Sequence, residues 1–187
     1  MEVHVIRHTP IDFDKNRCYG RLEVPLAASF LEDFKEVQQR LDDAYDTIYS
    51  SPQKRCIQLA NALAISNTKT DERLLEVDFG EWEGKLWSEM DQEVLNTWMM
   101  DFVKIAPPKG ESLEHMFHRV SSFMDELRGK NYDKILIITH SGVIRCIWAY
   151  LLEIPLKNVF KIPIGFHERL VFTLAESPPL DTIIQSK

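Results

Sequence analysis

Cysteine is scarce in this sequence. The 187 residues hold three, Cys18, Cys56 and Cys146. The number is odd and no spacing pairs them, which argues against a disulfide framework and for a reducing, cytoplasmic setting. Long apolar runs are missing too. No stretch approaches the roughly 20 residues that cross a bilayer. The opening run Val3–Ile6 stops at Arg7 and is too short for a signal peptide. Excess positive charge is also absent: 22 Lys and Arg against 29 Asp and Glu leave a net charge of −7. That excludes a broad nucleic-acid-binding face, while a local basic pocket stays compatible with it. Repeats, low-complexity tracts and linkers are lacking, so residues 1–187 read as one domain large enough to bury a core.

What is present is an alternation of short strand-like runs and longer helical ones. Val3–Ile6 reads as a first strand and Thr47–Ser50 as a second. Ile135–Ile138 is a fully apolar strand of the kind buried on both faces, and Leu170–Leu174 reads as the last. Ser29-Phe30-Leu31-Glu32 has the form of a capping box, followed by apolar positions 30, 34, 37 and 41 at helical spacing. Ser51-Pro52 reads as an N-cap with proline at the first helical position, and Leu59, Ala60, Leu63 and Ala64 continue that helix. Met116, Val120, Phe123 and Leu127 mark another, and Val143, Ile147, Trp148 and Leu151 a further one that stops near Pro155. The expected class is α/β, a three-layer αβα sandwich with a mostly parallel central sheet. Residues 82–109 are expected to lay one or two helices over the sheet as a cap, closed by Pro107-Pro108.

In open α/β sheets, ligands bind beyond the carboxyl ends of the strands. There the sequence sets Arg7-His8-Thr9, Ser50-Ser51 with Arg55 a turn later, Thr139-His140-Ser141-Gly142, and Glu76-Val77-Asp78. Two arginines that fork onto phosphate oxygens, two histidines and a carboxylate suit phosphoryl transfer. A neutral imidazole can attack phosphorus and hold the group as phosphohistidine. A carboxylate can then protonate the leaving oxygen and later activate water. Strand spacing turns Glu76 and Asp78 to the same face, so both qualify.

These segments, with Ser51–Arg55, Glu76–Gly84 and Gly110-Glu111-Ser112, resemble the histidine phosphatase superfamily, also called phosphoglycerate mutase-like, in the family's order and over nearly the whole chain. The resemblance implies that His8 is the phosphorylated histidine. Arg7, Arg55 and His140 would complete the phosphate pocket, with His140 also catalytic. Glu76 rather than Asp78 would be the proton donor, Glu81 and Glu83 would not be catalytic, and no metal or other cofactor would be needed. Thr9 and Pro10 stand where the common motif has Gly and Glu, and Asp14 and Asn16 both fall near its usual Asn. Arg7-His8-Thr9 with Cys18-Tyr19-Gly20-Arg21, Val24–Ala27 and Ser29-Phe30 is similar to the α-ribazole phosphatase-like branch, which implies α-ribazole 5′-phosphate of cobalamin nucleotide-loop assembly as substrate.

Further pocket candidates are Thr9, Cys18, Tyr19, Gly20, Ser112, His115 and Ser141. An apolar wall of Trp82, Trp87, Trp98, Met99 and Met100 is a further candidate. His4 reads as structural, and His118 and His167 as surface or core-edge residues. The partner expected is a small phosphomonoester, with neither nucleic acid nor membrane. Competing readings are a broad-specificity phosphatase, a phosphoglycerate mutase, a non-catalytic phosphate-binding protein, and a metal hydrolase built on His8, Asp78 and His140.

Overall fold

A computed structural model describes residues 1–42, 44–65 and 67–186. Six strands form one sheet: β1 (Glu2–Arg7), β2 (Thr47–Ser50), β3 (Thr68–Thr70), β4 (Lys134–Thr139), β5 (Arg169–Thr173) and β6 (Thr182–Ser186). Their order is β3-β2-β4-β1-β5-β6. The first four run parallel, while β5 and β6 pair antiparallel at one side. The α/β expectation therefore holds.

Alternation along β4 builds the two faces. Ile135 and Ile137 join a core with helices α4 (Leu113–Arg128) and α5 (Ser141–Leu152). Leu136 and Ile138 join a second core with α1 (Phe30–Arg40) and α2 (Lys54–Ala62). A strand apolar on both sides is what a sheet covered on both faces requires. His4 is 2% exposed and bonds Tyr45 and Glu2 through its two ring nitrogens, so it is structural.

Between β3 and α4 the chain makes 3₁₀ turns at Gly80–Trp82 and Trp87–Glu89, then one helix, α3 (Gln92–Met100). Cys18, Trp82, Met90 and Leu95 form a third apolar cluster there, joined by Phe79, Trp87 and Trp98.

Several local expectations need correction. Ser29 precedes α1, but its hydroxyl donates to Asp33 instead of capping the backbone. Helix α2 starts at Lys54 with Gln53 as N-cap, so Ser51 and Pro52 lie outside it. Its end at Ala62 leaves Ala64 in the left-handed region, φ 55°. Leu170–Leu174 overlaps β5, which starts at Arg169 and ends at Thr173, and β5 is not the last strand, because β6 follows. No helix among the described residues is long and apolar enough to cross a membrane.

Candidate active site

The carboxyl ends of β1, β2 and β4 lie side by side, and the ladder continues past them. The His8 N–H donates to Thr139 O at 2.9 Å, and the Ser51 N–H to Ile138 O at 2.9 Å. This brings His8, Ser51 and His140 together from three distant parts of the chain. The His8 and His140 rings meet edge-on, with centroids 5.2 Å apart.

Hydrogen bonds set the tautomer of each ring. His8 Nδ1 lies 2.7 Å from the Thr9 carbonyl, which can only accept, so Nδ1 carries the proton and Nε2 keeps its lone pair. The Arg55 Nε–H approaches His140 Nδ1 at 3.4 Å and can only donate, so His140 bears its proton on Nε2 and gives it to Ser51 Oγ at 2.8 Å. Burial is the largest cause holding His8 far below the usual imidazole range, at about 3, with the Arg55 charge adding to it. His140 is likewise lowered, by burial first and then by His8 and the arginines. Both rings are therefore neutral near pH 7.

This has a consequence for acid stability. The unfolded chain binds protons on these histidines below about 6.5, whereas folded His8 does so only near 3. Stability is thus fully present above about 6.5 and is lost as pH falls towards 3. From pH 7 to 5 the His8 contribution falls by about 2 kcal/mol. Urea midpoints at the two pH values should show a smaller drop for His8→Gln than for the unsubstituted protein. Equal slopes would contradict a buried neutral His8.

Arg55 is fully buried on α2. It donates from Nη2 to Gly20 O at 2.6 Å and from Nη1 to Leu22 O at 2.9 Å. The carbonyls that hold it are fixed in turn by Glu83, whose carboxylate accepts from the N–H groups of Gly20, Arg21, Leu22 and Phe79. Glu83 is thus a structural knot of this loop. Gly20 is required by close approach, since an added Cβ would lie 1.9 Å from Val77 O. Arg7, at the end of β1, donates to Ile164 O at 3.1 Å, and its Nε is buried without a partner.

Glu76 is 8% exposed. Its carboxylate accepts from the Val77 N–H at 3.0 Å and, at the start of α5, from the Gly142 N–H at 3.2 Å, with Ser141 Oγ at 3.5 Å. An added Cβ on Gly142 would come within 2.2 Å of that carboxylate, so the glycine leaves it room. Asp78 faces elsewhere: it accepts from the Gly80 N–H and pairs with Arg21 at 3.4 Å. Of these two acids, Glu76 belongs to the lining of an adjoining cleft of about 200 Å³. Aromatic side chains of Tyr19, Phe79, Trp98, Phe102 and Phe160 form much of its wall, with Arg145 among them.

The further candidates divide. Tyr19 and Ser141 line the cleft, and Gly20 holds Arg55. Thr9 is fully buried beside His8, and its Oγ1 has no partner. Cys18 is instead fully buried in the third apolar cluster with Trp82, Met90 and Leu95 and does not line the cleft. Ser112 caps α4 by accepting from the His115 N–H. His115 is exposed and does not line the cleft. Of the proposed apolar wall, Trp98 lines the cleft and Trp82 and Trp87 support it from behind. Met99 and Met100 point out, at 60% and 88% exposure. The donors of His8, Asp78 and His140 do not assemble as a metal cluster. Among the described residues that geometry occurs at Glu2, His4 and Asp42, where Lys134 and Arg169 already pair the acids.

Sequence reasoning passed over several residues. Ser51 and Gln53 lie inside a recognised motif but had no role. Gln53 bridges the site by donating to Gly20 O and accepting from the Glu76 N–H. Arg119 donates to Glu76 O and pairs with Glu111 at 2.6 Å, bracing the acid's backbone. Arg145 follows Ser141 by four residues, one helical turn, which was a legible signal. Phe166, stacked on Arg7, left none.

The fold and this constellation define a phosphoglycerate mutase-like α/β protein. Residues 3–178 match the model of the histidine phosphatase superfamily (branch 1), and the chain belongs to that family and is a phosphatase, a hydrolase of phosphoric monoesters. It is 34% identical over 170 residues to a Hydrogenobacter thermophilus protein whose name, phosphoserine phosphatase 2, is provisional; the match covers 86% of this chain and 83% of that one. It is 26% identical over 170 residues to the adenosylcobalamin/alpha-ribazole phosphatase of Escherichia coli K12, with the same coverage of 86% and 83%. The solved alpha-ribazole phosphatase of Shigella flexneri superposes with a TM-score of 0.83 at 23% identity, covering 92% of this chain and 90% of that one, and shares the fold.

Proposed function

We propose that the chain hydrolyses a small phosphomonoester through a phosphohistidine on His8. The observation that carries this reading is the neutral His8 ring with its free Nε2 among Arg7, Arg55 and His140, next to a carboxylate on the cleft. The Nε2 lone pair forms the N–P bond as the ester P–O bond breaks. Protonated Glu76 gives its proton to the departing oxygen. Arg7, Arg55 and the His140 region stabilise charge on the three equatorial oxygens. The Glu76 carboxylate then takes a proton from water, whose oxygen attacks phosphorus, and the N–P bond breaks to release phosphate and neutral His8. Each group is used twice and returns to its starting state. A purely phosphate-binding protein would have no use for the acid.

The substrate reading is α-ribazole 5′-phosphate. The aromatic cleft supports it, because a flat apolar base stacks on such walls. A second reading, phosphoserine, is favoured by Arg145. This half-buried cation lines the same cleft, and its Nε–H donates to Ile162 O at 3.1 Å. Among the described residues it makes no salt bridge. It is placed to meet a substrate carboxylate. The two readings separate in kcat/KM measured for α-ribazole 5′-phosphate, phosphoserine and phosphoethanolamine, which is phosphoserine without its carboxylate. The first reading expects α-ribazole phosphate to lead by at least about tenfold, roughly 1.4 kcal/mol of transition-state binding. Arg145→Gln should then leave that value within about threefold. If phosphoserine leads, and Arg145→Gln erases its advantage over phosphoethanolamine, the second reading replaces the first. Isomerised 3-phosphoglycerate without free phosphate would support a mutase instead.

A further inference from the structure

Residues 162–168 connect the 3₁₀ turn Leu156–Lys161 to β5 and pass beside the end of β1. Three features of this connection converge on Arg7. The Ile164 carbonyl accepts from Arg7 Nη1 at 3.1 Å. The Phe166 ring lies under the guanidinium, with Cζ 3.9 Å from the ring centroid. The same ring meets His8 edge-on, at a centroid distance of 5.9 Å. Arg7 has no ion pair with a carboxylate in the salt bridges among the described residues.

The connection is itself pinned. The Gly165 N–H donates to the Glu168 carboxylate at 2.8 Å, closing a tight turn. His167 adopts φ +63°, a left-handed conformation that is uncommon for a residue with a Cβ and that its surroundings hold in place here. Those surroundings are α1. Asp33 and Glu36 approach the two His167 ring nitrogens at 2.9 and 3.1 Å, the Asp33 contact being electrostatic and poorly aligned as a hydrogen bond. Arg40 donates to the His167 carbonyl at 2.7 Å. This pinned turn directly follows Phe166, whose ring lies on Arg7.

We infer that Phe166 is a positioning residue of the phosphatase reaction, holding the Arg7 guanidinium flat and aimed at the phosphoryl group bound against His8. A long arginine side chain has many rotamers, and a face-on aromatic ring selects among them while leaving the N–H edge free. The Arg7 Nε, buried without a partner, is the donor this arrangement leaves unpaired, and a phosphate oxygen is the acceptor that would satisfy it. The inference rests on the reading of Arg7 as a phosphate ligand.

The test is a double-mutant cycle in the full chain with inorganic phosphate as the probe, read as its inhibition constant against p-nitrophenyl phosphate hydrolysis. Phosphate has no leaving group, so contact between Phe166 and a leaving group cannot move this constant. Phe166→Leu is expected to raise it about tenfold, and Phe166→Tyr, which keeps the aromatic face, to restore it to within about twofold. Arg7→Ala should weaken phosphate strongly, and adding Phe166→Leu to it should change nothing further. If Phe166→Leu costs the same factor in both backgrounds, or if Phe166→Tyr fails to rescue, the inference is overturned while Arg7 stands as a phosphate ligand. If Arg7→Ala leaves the constant unchanged, the reading of Arg7 falls and the inference with it.

Discussion

His8→Ala is expected to lower kcat by about 10⁴-fold or more, the scale at which an enzyme loses its covalent step and keeps only binding and electrostatics. The expectation comes from how completely the surroundings prepare this ring. Thr9 O fixes the tautomer, Thr139 O fixes the backbone, and burial with Arg55 keeps the imidazole neutral. Nothing else nearby can substitute. His140 uses Nε2 on Ser51 and Nδ1 on Arg55, and the Cys56 thiol, which is fully buried, is held protonated by that burial. The same variant supplies a second readout. With labelled substrate and a quench that avoids acid, the unsubstituted protein should retain label stable to alkali and lost in acid, as a phosphoramidate is, and His8→Ala should retain none. Near-normal turnover by His8→Ala would remove the nucleophile assignment.

Glu76→Gln is expected to slow phosphorylation by about 10²- to 10⁴-fold for substrates with poor leaving groups, and far less for p-nitrophenyl phosphate. A good leaving group departs without a proton, so the size of the defect should track leaving-group pKa. The substitution nearly preserves shape. The amide oxygen can still accept from Gly142 N–H, and the tight fit between Gly142 and the carboxylate leaves little room for rearrangement. Asp78→Asn is the control, since Asp78 serves the Gly80 turn and Arg21. A leaving-group-dependent defect in Asp78→Asn, with none in Glu76→Gln, would reverse the assignment.

Local sequence grammar fails at three places in this chain, Ser51, Ser29 and Cys18. Ser51-Pro52 has the form of a helix start, yet α2 begins later, because Ser51 Oγ accepts the His140 proton and its N–H extends the β4 ladder. Ser29 reads as a capping box and instead bonds Asp33, which also meets His167. Tertiary partners outcompeted the local ones in both places. Cys18 was drawn to the pocket by its neighbours Tyr19 and Gly20. Its side chain is instead fully buried in the apolar cluster behind the cleft wall, packed with the Trp82 and Trp98 group.

The sequence by itself determined the α/β class, the doubly buried β4, and the motif residues His8, Arg7, Arg55, Glu76 and His140. These are legible because hydrophobic period and strand-end position are local properties, and because phosphate chemistry admits few residue types. Tertiary structure alone decided which tautomer each histidine holds, that Glu76 rather than Asp78 lines the cleft, and that Glu83 ties the loop carrying the carbonyls that grip Arg55. It alone brought Phe166 onto Arg7, across 159 positions of sequence. Hydrogen-bond partners and ring contacts between distant segments depend on how strands and connections pack, and no spacing along one chain encodes that.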